Sequence, residues 1–301
     1  MERLLKCPLC KSGLFLHQTE IKDFAVSKEN FMLCRCSGCN LTFTNPRPKE
    51  DKIKPYYDFP EYYSHEDKAK NIIQFVYQKI RNYAVGQKVK LFESLIPKGR
   101  ILDYGCGTGD VLKALQDKDW KITGIEPNEK ARKIANSKTN KQVFKNIEEI
   151  ENQKKYDIIS LFHVLEHIHE LRKTTKALLS NLKKSGYLVI AVPNNQSWDA
   201  LHYKQNWAAW DVPRHLYHFD QTSIEKFAEI FELEIMDIKP MLFDSFYVSM
   251  LSEKYQHPKQ WILITYMKAI LNGLKSNKFG NEIPGRHSSN IYILKKKRED
   301  I

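Results

Sequence analysis

From Gly99 onward, short apolar runs alternate with longer stretches in which apolar residues recur every three or four positions. The runs predict strands over 100–104, 121–125, 141–144, 156–161 and 187–192, with helices after the first, second, fourth and fifth. Strands alternating with helices in this way read as a doubly wound α/β domain. Two later runs, 233–239 and 289–296, predict further strands. Ahead of them all, Ile72, Ile73, Val76, Ile80, Ala84, Leu91 and Leu95 are spaced for a helix over 68–95.

The first strand leads into Ile101-Leu-Asp-Tyr-Gly-Cys-Gly-Thr-Gly-Asp110, with three glycines at alternate positions. Glycine is needed where a backbone takes unusual dihedrals and a ligand approaches it without a Cβ in the way. A dinucleotide loop spaces its glycines G-x-G-x-x-G. Here the third glycine comes one residue early and Asp103 precedes the first, which points to a ligand bearing a cation. After the second strand stands Glu126, at the place, about 20 residues on, where an acid accepts hydrogen bonds from ribose hydroxyls.

Asp103-x-Gly105-x-Gly107-x-Gly109 resembles the first motif of the class I S-adenosylmethionine-dependent methyltransferases. The resemblance implies a Rossmann-like, doubly wound seven-stranded sheet whose last strand, 289–296, is antiparallel. It implies S-adenosylmethionine as cofactor, with Asp103 holding the methionine amino group, the glycines admitting the cofactor, Asn146 after the third strand at the adenine, and Phe162 closing the fourth strand on the cofactor side.

Five of six cysteines fall in the first forty residues. Cys7-Pro-Leu-Cys10 and Cys36-Ser-Gly-Cys39 are C-x-x-C pairs that can each offer two thiolates to one tetrahedral zinc. Residues 1–48 are therefore expected as a small zinc-ribbon domain held by its structural zinc, with Cys34 as the spare. Asn45-Pro46-Arg47-Pro48 closes it. Residues 49–98 follow as an aromatic segment (Tyr56, Tyr57, Phe59, Tyr62, Tyr63, His65) and a helical arm, and 99–301 as the catalytic domain with a helical insertion at about 243–288. Within that insertion Trp261–Leu274 reads as an apolar helix flanked by lysines, too short to span a bilayer; burial is the favoured reading, with a membrane surface or a dimer interface as alternatives.

The chemistry is expected after the fourth strand. If a helix begins there, His163, Glu166 and His167 share one face at i, i+3 and i+4, beside the cofactor's methyl group. Methyl transfer needs an aligned nucleophile and a base for its proton, and histidine suits that task. The trio could equally hold a divalent metal. A second group comes from Trp207-Ala-Ala-Trp-Asp-Val-Pro-Arg-His-Leu-Tyr-His-Phe219, a loop expected to cover a pocket and to bring His215 and His218 as further bases. These stretches, the cysteine pairs and Tyr62-Tyr63-Ser64-His65 together are similar to a bacterial family of S-adenosylmethionine-dependent methyltransferases with an N-terminal zinc ribbon.

At 301 residues and 42% hydrophobic the chain can bury a full core, which excludes a disordered protein. Its net charge of +12 favours an anionic partner. Met1 to Leu16 lacks the apolar core of a signal sequence, so a cytoplasmic location and no transmembrane segment are expected. The reading is a methyltransferase acting on a small-molecule acceptor (sugar, lipid-linked or secondary metabolite), as monomer or homodimer. An RNA methyltransferase, directed at ribose or guanine, is the less favoured alternative. It is narrowed because the fourth strand ends without an Asn/Asp-Pro-Pro-aromatic turn and no cysteine follows Cys106 to serve as a nucleophile. A non-enzymatic cofactor-binding regulator is the third reading.

Overall fold

A computed structural model describes residues 1–57, 72–150 and 155–297. The expected Phe59, Tyr62, Tyr63 and His65 lie outside the described residues, as does the first part of the 68–95 helix. The chain forms two compact units. One comprises residues 60–162 and 175–189; the other comprises 1–59, 163–174 and 190–301.

The first of these carries α1 (Ile72–Leu95), β4 (Arg100–Tyr104), α2 (Asp110–Gln116), β5 (Lys121–Ile125), α3 (Glu129–Lys138), β6 (Val143–Phe144) and β7 (Tyr156–Phe162). β4 pairs in parallel with β5 on one side and β7 on the other, and β5 pairs in parallel with β6. Ile101, Leu102, Ile158 and Ile159 are fully buried, which is why these strands read as unbroken apolar runs rather than alternating ones. α3 starts where the Asn128 side chain accepts the Ala131 N–H, and that cap fixes its first turn.

The second unit holds β1 (Phe15–Lys22), β2 (Asn30–Cys36), β3 (Thr42–Thr44), α5 (Trp198–Tyr203), β9 (Tyr217–His218), α6 (Gln221–Ile230), β10 (Leu233–Pro240), α7 (Asp244–Gln256), α8 (Ile262–Glu282) and β11 (Ser289–Lys296). β1, β2, β3 and β9 make a four-stranded sheet. The cysteine-bearing segment is thus joined by two residues from the aromatic loop, Thr42 opposite His218 and Phe43 opposite Tyr217. Val212 from that loop packs with Ile21, Phe31 and Leu33.

With α4 (Leu171–Asn181) and β8 (Leu182–Pro193), the large sheet has seven strands in the order β10-β11-β8-β7-β4-β5-β6. β10 and β11 run antiparallel to each other. The α/β class, the seven strands and the antiparallel last strand are as the sequence led one to expect.

Two expectations are corrected. No α-helix begins at His163: the backbone there is left-handed (φ 55°), Leu165–His167 is a single 3-10 turn, and α4 starts only at Leu171. Nor is the apolar face of the insertion buried. Leu263, Met267 and Leu274 are 53%, 64% and 54% exposed, while Thr265, Asn272 and Ser276 face inward.

Candidate functional site

The cofactor candidates sit at the carboxyl ends of the parallel strands. Strand register sets Tyr104 beside Ile125 and Ile125 beside Phe144, so Asp103, Glu126 and Asn146 emerge at one edge. β4 is also where the order reverses, with β5 on one flank and β7 on the other, the place at which open α/β sheets bind ligands.

Gly105, Gly107 and Gly109 all take positive φ (79°, 55° and 76°), so any side chain there would be strained. They serve different ends. A Cβ on Gly107 would meet nothing within 4 Å, leaving bare backbone facing open space, whereas a Cβ on Gly109 would lie 2.9 Å from that of Ala135, so this glycine lets the loop close on α3. Glu126 braces the loop by accepting the Gly107 N–H (2.9 Å) and the Asn128 N–H (2.8 Å). Burial raises its pKa against the pull of those two donors. Asp103 is buried, accepts the Ser160 hydroxyl at 2.7 Å, and is likewise raised by desolvation. An incoming ammonium would relieve that cost. Ser160 had one sequence signal, a small polar residue between Ile159 and Leu161. Asn146 is exposed, its amide 3.4 Å from Glu149. Phe162 meets Phe92 edge-on at 6.1 Å between centroids and has the Lys88 ammonium 4.0 Å from its ring centre.

The histidines gather in the other unit. His163 donates its N–H to the Ala191 carbonyl (2.9 Å), and its ring lies between two carboxylates, Nε2 3.0 Å from Asp244 and Nδ1 3.5 Å from Glu166. Burial works against its charge, but Asp244 and Glu166 prevail and push it up to about 10. It is an imidazolium at neutral pH and cannot accept a proton as a base.

His167 is the reverse. Burial, reinforced by His215, pushes it down to about 4. Its Nδ1 lies 2.9 Å from the Arg214 carbonyl, with the Tyr57 hydroxyl also at 2.9 Å. A carbonyl can only accept, so Nδ1 carries the proton and Nε2 keeps its lone pair. His215 is held the same way, Nδ1 2.8 Å from the Ala209 carbonyl, and its ring meets that of His167 edge-on at 4.7 Å.

Between them stands Glu166, buried, with neither carboxylate oxygen hydrogen-bonded among the described residues. Burial opposes its charge, yet the surrounding histidines hold its pKa below the ordinary value. Glu166, His167 and His215 each offer a ligand atom, all within 4.8 Å of one another. Two imidazoles, each oriented by a carbonyl at Nδ1, and one buried carboxylate suit a divalent cation or a hydroxyl that must lose its proton.

His218 lies elsewhere, its Nε2 3.4 Å from the Thr44 hydroxyl, and burial holds its pKa well below the usual histidine value. Arg214 is committed to structure, donating to both oxygens of Asp211, to Asp23 at 2.9 Å and to the Tyr56 carbonyl. Trp207 is buried with Ala200, Tyr203 and Val248, its indole N–H on Asp199. Trp207, Trp210 and Asp211 of the aromatic loop also line a small cavity with Phe24 and Tyr255. Asp244 gave no signal in the sequence, whereas Tyr57 stood out only as one of the tyrosines of the aromatic segment.

At the cysteines, the Cys7 and Cys39 sulfurs are 3.5 Å apart and those of Cys10 and Cys36 3.4 Å, and all four lie within 4.8 Å. That is close to the sulfur spacing of about 3.8 Å around a tetrahedral ion with 2.3 Å bonds. Cys34 lies outside the group, its Sγ 3.8 Å from the Asn45 carbonyl.

Residues 77–238 match the model of a family described as a methyltransferase domain. A ubiquinone biosynthesis O-methyltransferase of Rickettsia typhi is 27% identical over 183 residues, covering 55% of this chain and 72% of that protein. A malonyl-[acyl-carrier protein] O-methyltransferase of Acetivibrio thermocellus is 33% identical over 109 residues, 34% of this chain and 38% of that one. Among solved structures, a plantazolicin methyltransferase in complex with a pentazolic desmethylPZN analog and SAH is similar with a TM-score of 0.48 and 15% identity, over 81% of this chain and 95% of that one.

Proposed function

Since the chain belongs to the methyltransferase domain family and is an S-adenosylmethionine-dependent enzyme, we propose that it methylates a hydroxyl oxygen of a small-molecule acceptor. The observation that carries this reading is the buried carboxylate of Glu166 with a ring nitrogen each from His167 and His215, all within 4.8 Å of one another. The names of the relatives, both O-methyltransferases, point the same way.

In this reading Asp103 takes the cofactor's ammonium, the bare backbone at Gly107 admits the methionine portion, and Glu126 faces the ribose, with Asn146 and Phe162 beside the adenine. His167 or His215 takes the hydroxyl proton at Nε2, and His163, held as a cation, keeps Glu166 ionised. In the alternative, a divalent cation held by Glu166, His167 and His215 would occupy those nitrogens and would itself polarise the acceptor oxygen and ease its deprotonation, in place of a histidine base. Cys7, Cys10, Cys36 and Cys39 would hold one structural zinc in a ribbon formed by residues 1–48.

The test is transfer from radiolabelled S-adenosylmethionine to panels of phenolic, sugar and lipid-linked acceptors and to RNA. Transfer to a small acceptor that His167→Ala abolishes supports the proposal; transfer to RNA alone overturns it. Loss of activity on chelation at zinc-sparing concentrations would place the cation in the mechanism.

A further inference from the structure

Helix α8 is amphipathic in the reverse of the usual sense. Its inner face is polar and small: Asn272 donates to the Tyr203 hydroxyl (2.8 Å) and to Glu253 (3.1 Å), Ser276 donates to Asp199 (2.7 Å), and Ala269 and Gly273 are buried beside them. Its outer face is apolar. Leu263, Met267, Ile270, Leu271 and Leu274 recur at three- and four-residue spacing and each is more than half exposed. Asn277 donates to the Leu242 carbonyl, which brings the exposed Leu242 and Phe243 alongside the same helix. A continuous apolar patch of this kind marks an interaction surface.

We infer that this outer face of α8 docks in the plane of an anionic lipid bilayer. Charge selects the occupant. Residues 257–283 carry Lys259, Lys268, Lys275 and Lys278 against one acid, Glu282. Lys275 and the exposed Lys278 border the stripe, where their ammonium groups would reach lipid phosphates while the leucines enter the acyl boundary, whereas Lys268 is held by Gln260 (2.8 Å) and Glu253 (3.6 Å). Trp261, 66% exposed at the helix start, and Tyr266 are residue types enriched at the depth of lipid headgroups. No helix among the described residues is long and apolar enough to cross a membrane, so the helix lies on the surface rather than through it. A second copy of the chain fits less well, because a twofold contact through this stripe would bring its lysines toward their own counterparts with little acid to meet them.

The experiment is flotation of the full chain with vesicles of phosphatidylcholine alone and of phosphatidylcholine mixed with phosphatidylglycerol. Binding should require the anionic lipid and weaken as salt is raised. Met267→Gln with Leu271→Gln, both exposed, should lower the partition coefficient at least ~10-fold with an unchanged melting curve. Lys275→Gln with Lys278→Gln should lower it about fivefold per lysine on anionic vesicles only. Absence of binding to the mixed vesicles would overturn the inference. So would a dimer in sedimentation that Met267→Gln with Leu271→Gln dissociates, since the face would then belong to a second copy.

Discussion

Nε2 of His163 lies 3.0 Å from Oδ2 of Asp244, at the first residue of α7, and this pair decides the protonation of a histidine 81 positions earlier in the chain. The folded pKa, about 10, stands above the ordinary 6.5. The pair's contribution to stability is therefore complete below the ordinary value and is lost as pH rises through the folded one. His163 is 35% exposed, so solvent screens the interaction. Asp244→Asn is expected to cost about 0.5–1 kcal/mol near neutral pH and progressively less above pH 10. Urea denaturation at the two pH values checks this, and an equal loss at both would remove the imidazolium from the account.

His167 and His215, whose rings meet edge-on, carry the second prediction. His167→Ala and His215→Ala should each cut turnover by ~10² to 10⁴ on the true acceptor while leaving S-adenosylhomocysteine affinity unchanged, because a base acts on the transition state. His218→Gln should have a much smaller effect on turnover. Equal losses for all three variants would show that the loop, rather than its lone pairs, is what matters.

Asp103 makes cofactor binding depend on pH. Its carboxylate must be ionised to hold an ammonium, and burial raises its pKa above the ordinary 3.8. Affinity should be level at neutral pH and fall on acidification through that raised value. The Ser160 hydrogen bond opposes the rise, so Ser160→Ala should move the fall to higher pH. Isothermal calorimetry with S-adenosylhomocysteine across this range is the measurement, and an affinity that ignores pH would exclude Asp103 as the partner.

The cysteine cluster predicts a stoichiometric zinc. Elemental analysis should find it in the purified protein and in Cys34→Ser, and should find it lost from Cys36→Ser with destabilisation of the β1–β3 segment. Zinc retained in Cys36→Ser would break the proposed ligand set.

What could be read from the chain and what could not divides along contact range. The loop at 101–110, the run of strands and the cysteine pairs are local patterns, because glycine dihedrals, apolar runs and C-x-x-C turns are set within a few residues. The partners of the histidines are not local. Asp244 reaches His163, Asp23 ties up Arg214, and β9 brings Tyr217 and His218 onto β3, each across a sequence gap that no periodicity bridges. His163 itself was misread as the start of a helix because i, i+3, i+4 spacing is silent about a left-handed residue at its head.

The buried side of α8 also fixes how that helix is threaded. Oil-like contacts tolerate sliding, whereas the bonds from Asn272 and Ser276 to Tyr203, Glu253 and Asp199 are directional. Displacement by one turn, about 5.4 Å along the axis, would break all three, leaving Asp199 only its bonds from Trp207 and Ser288 and Glu253 only its bond from Tyr203. The helix is in this sense indexed, like a ratchet with one tooth engaged. A redesign that moved the outer leucines inward to gain burial would erase the index and leave the helix free to settle in several registers.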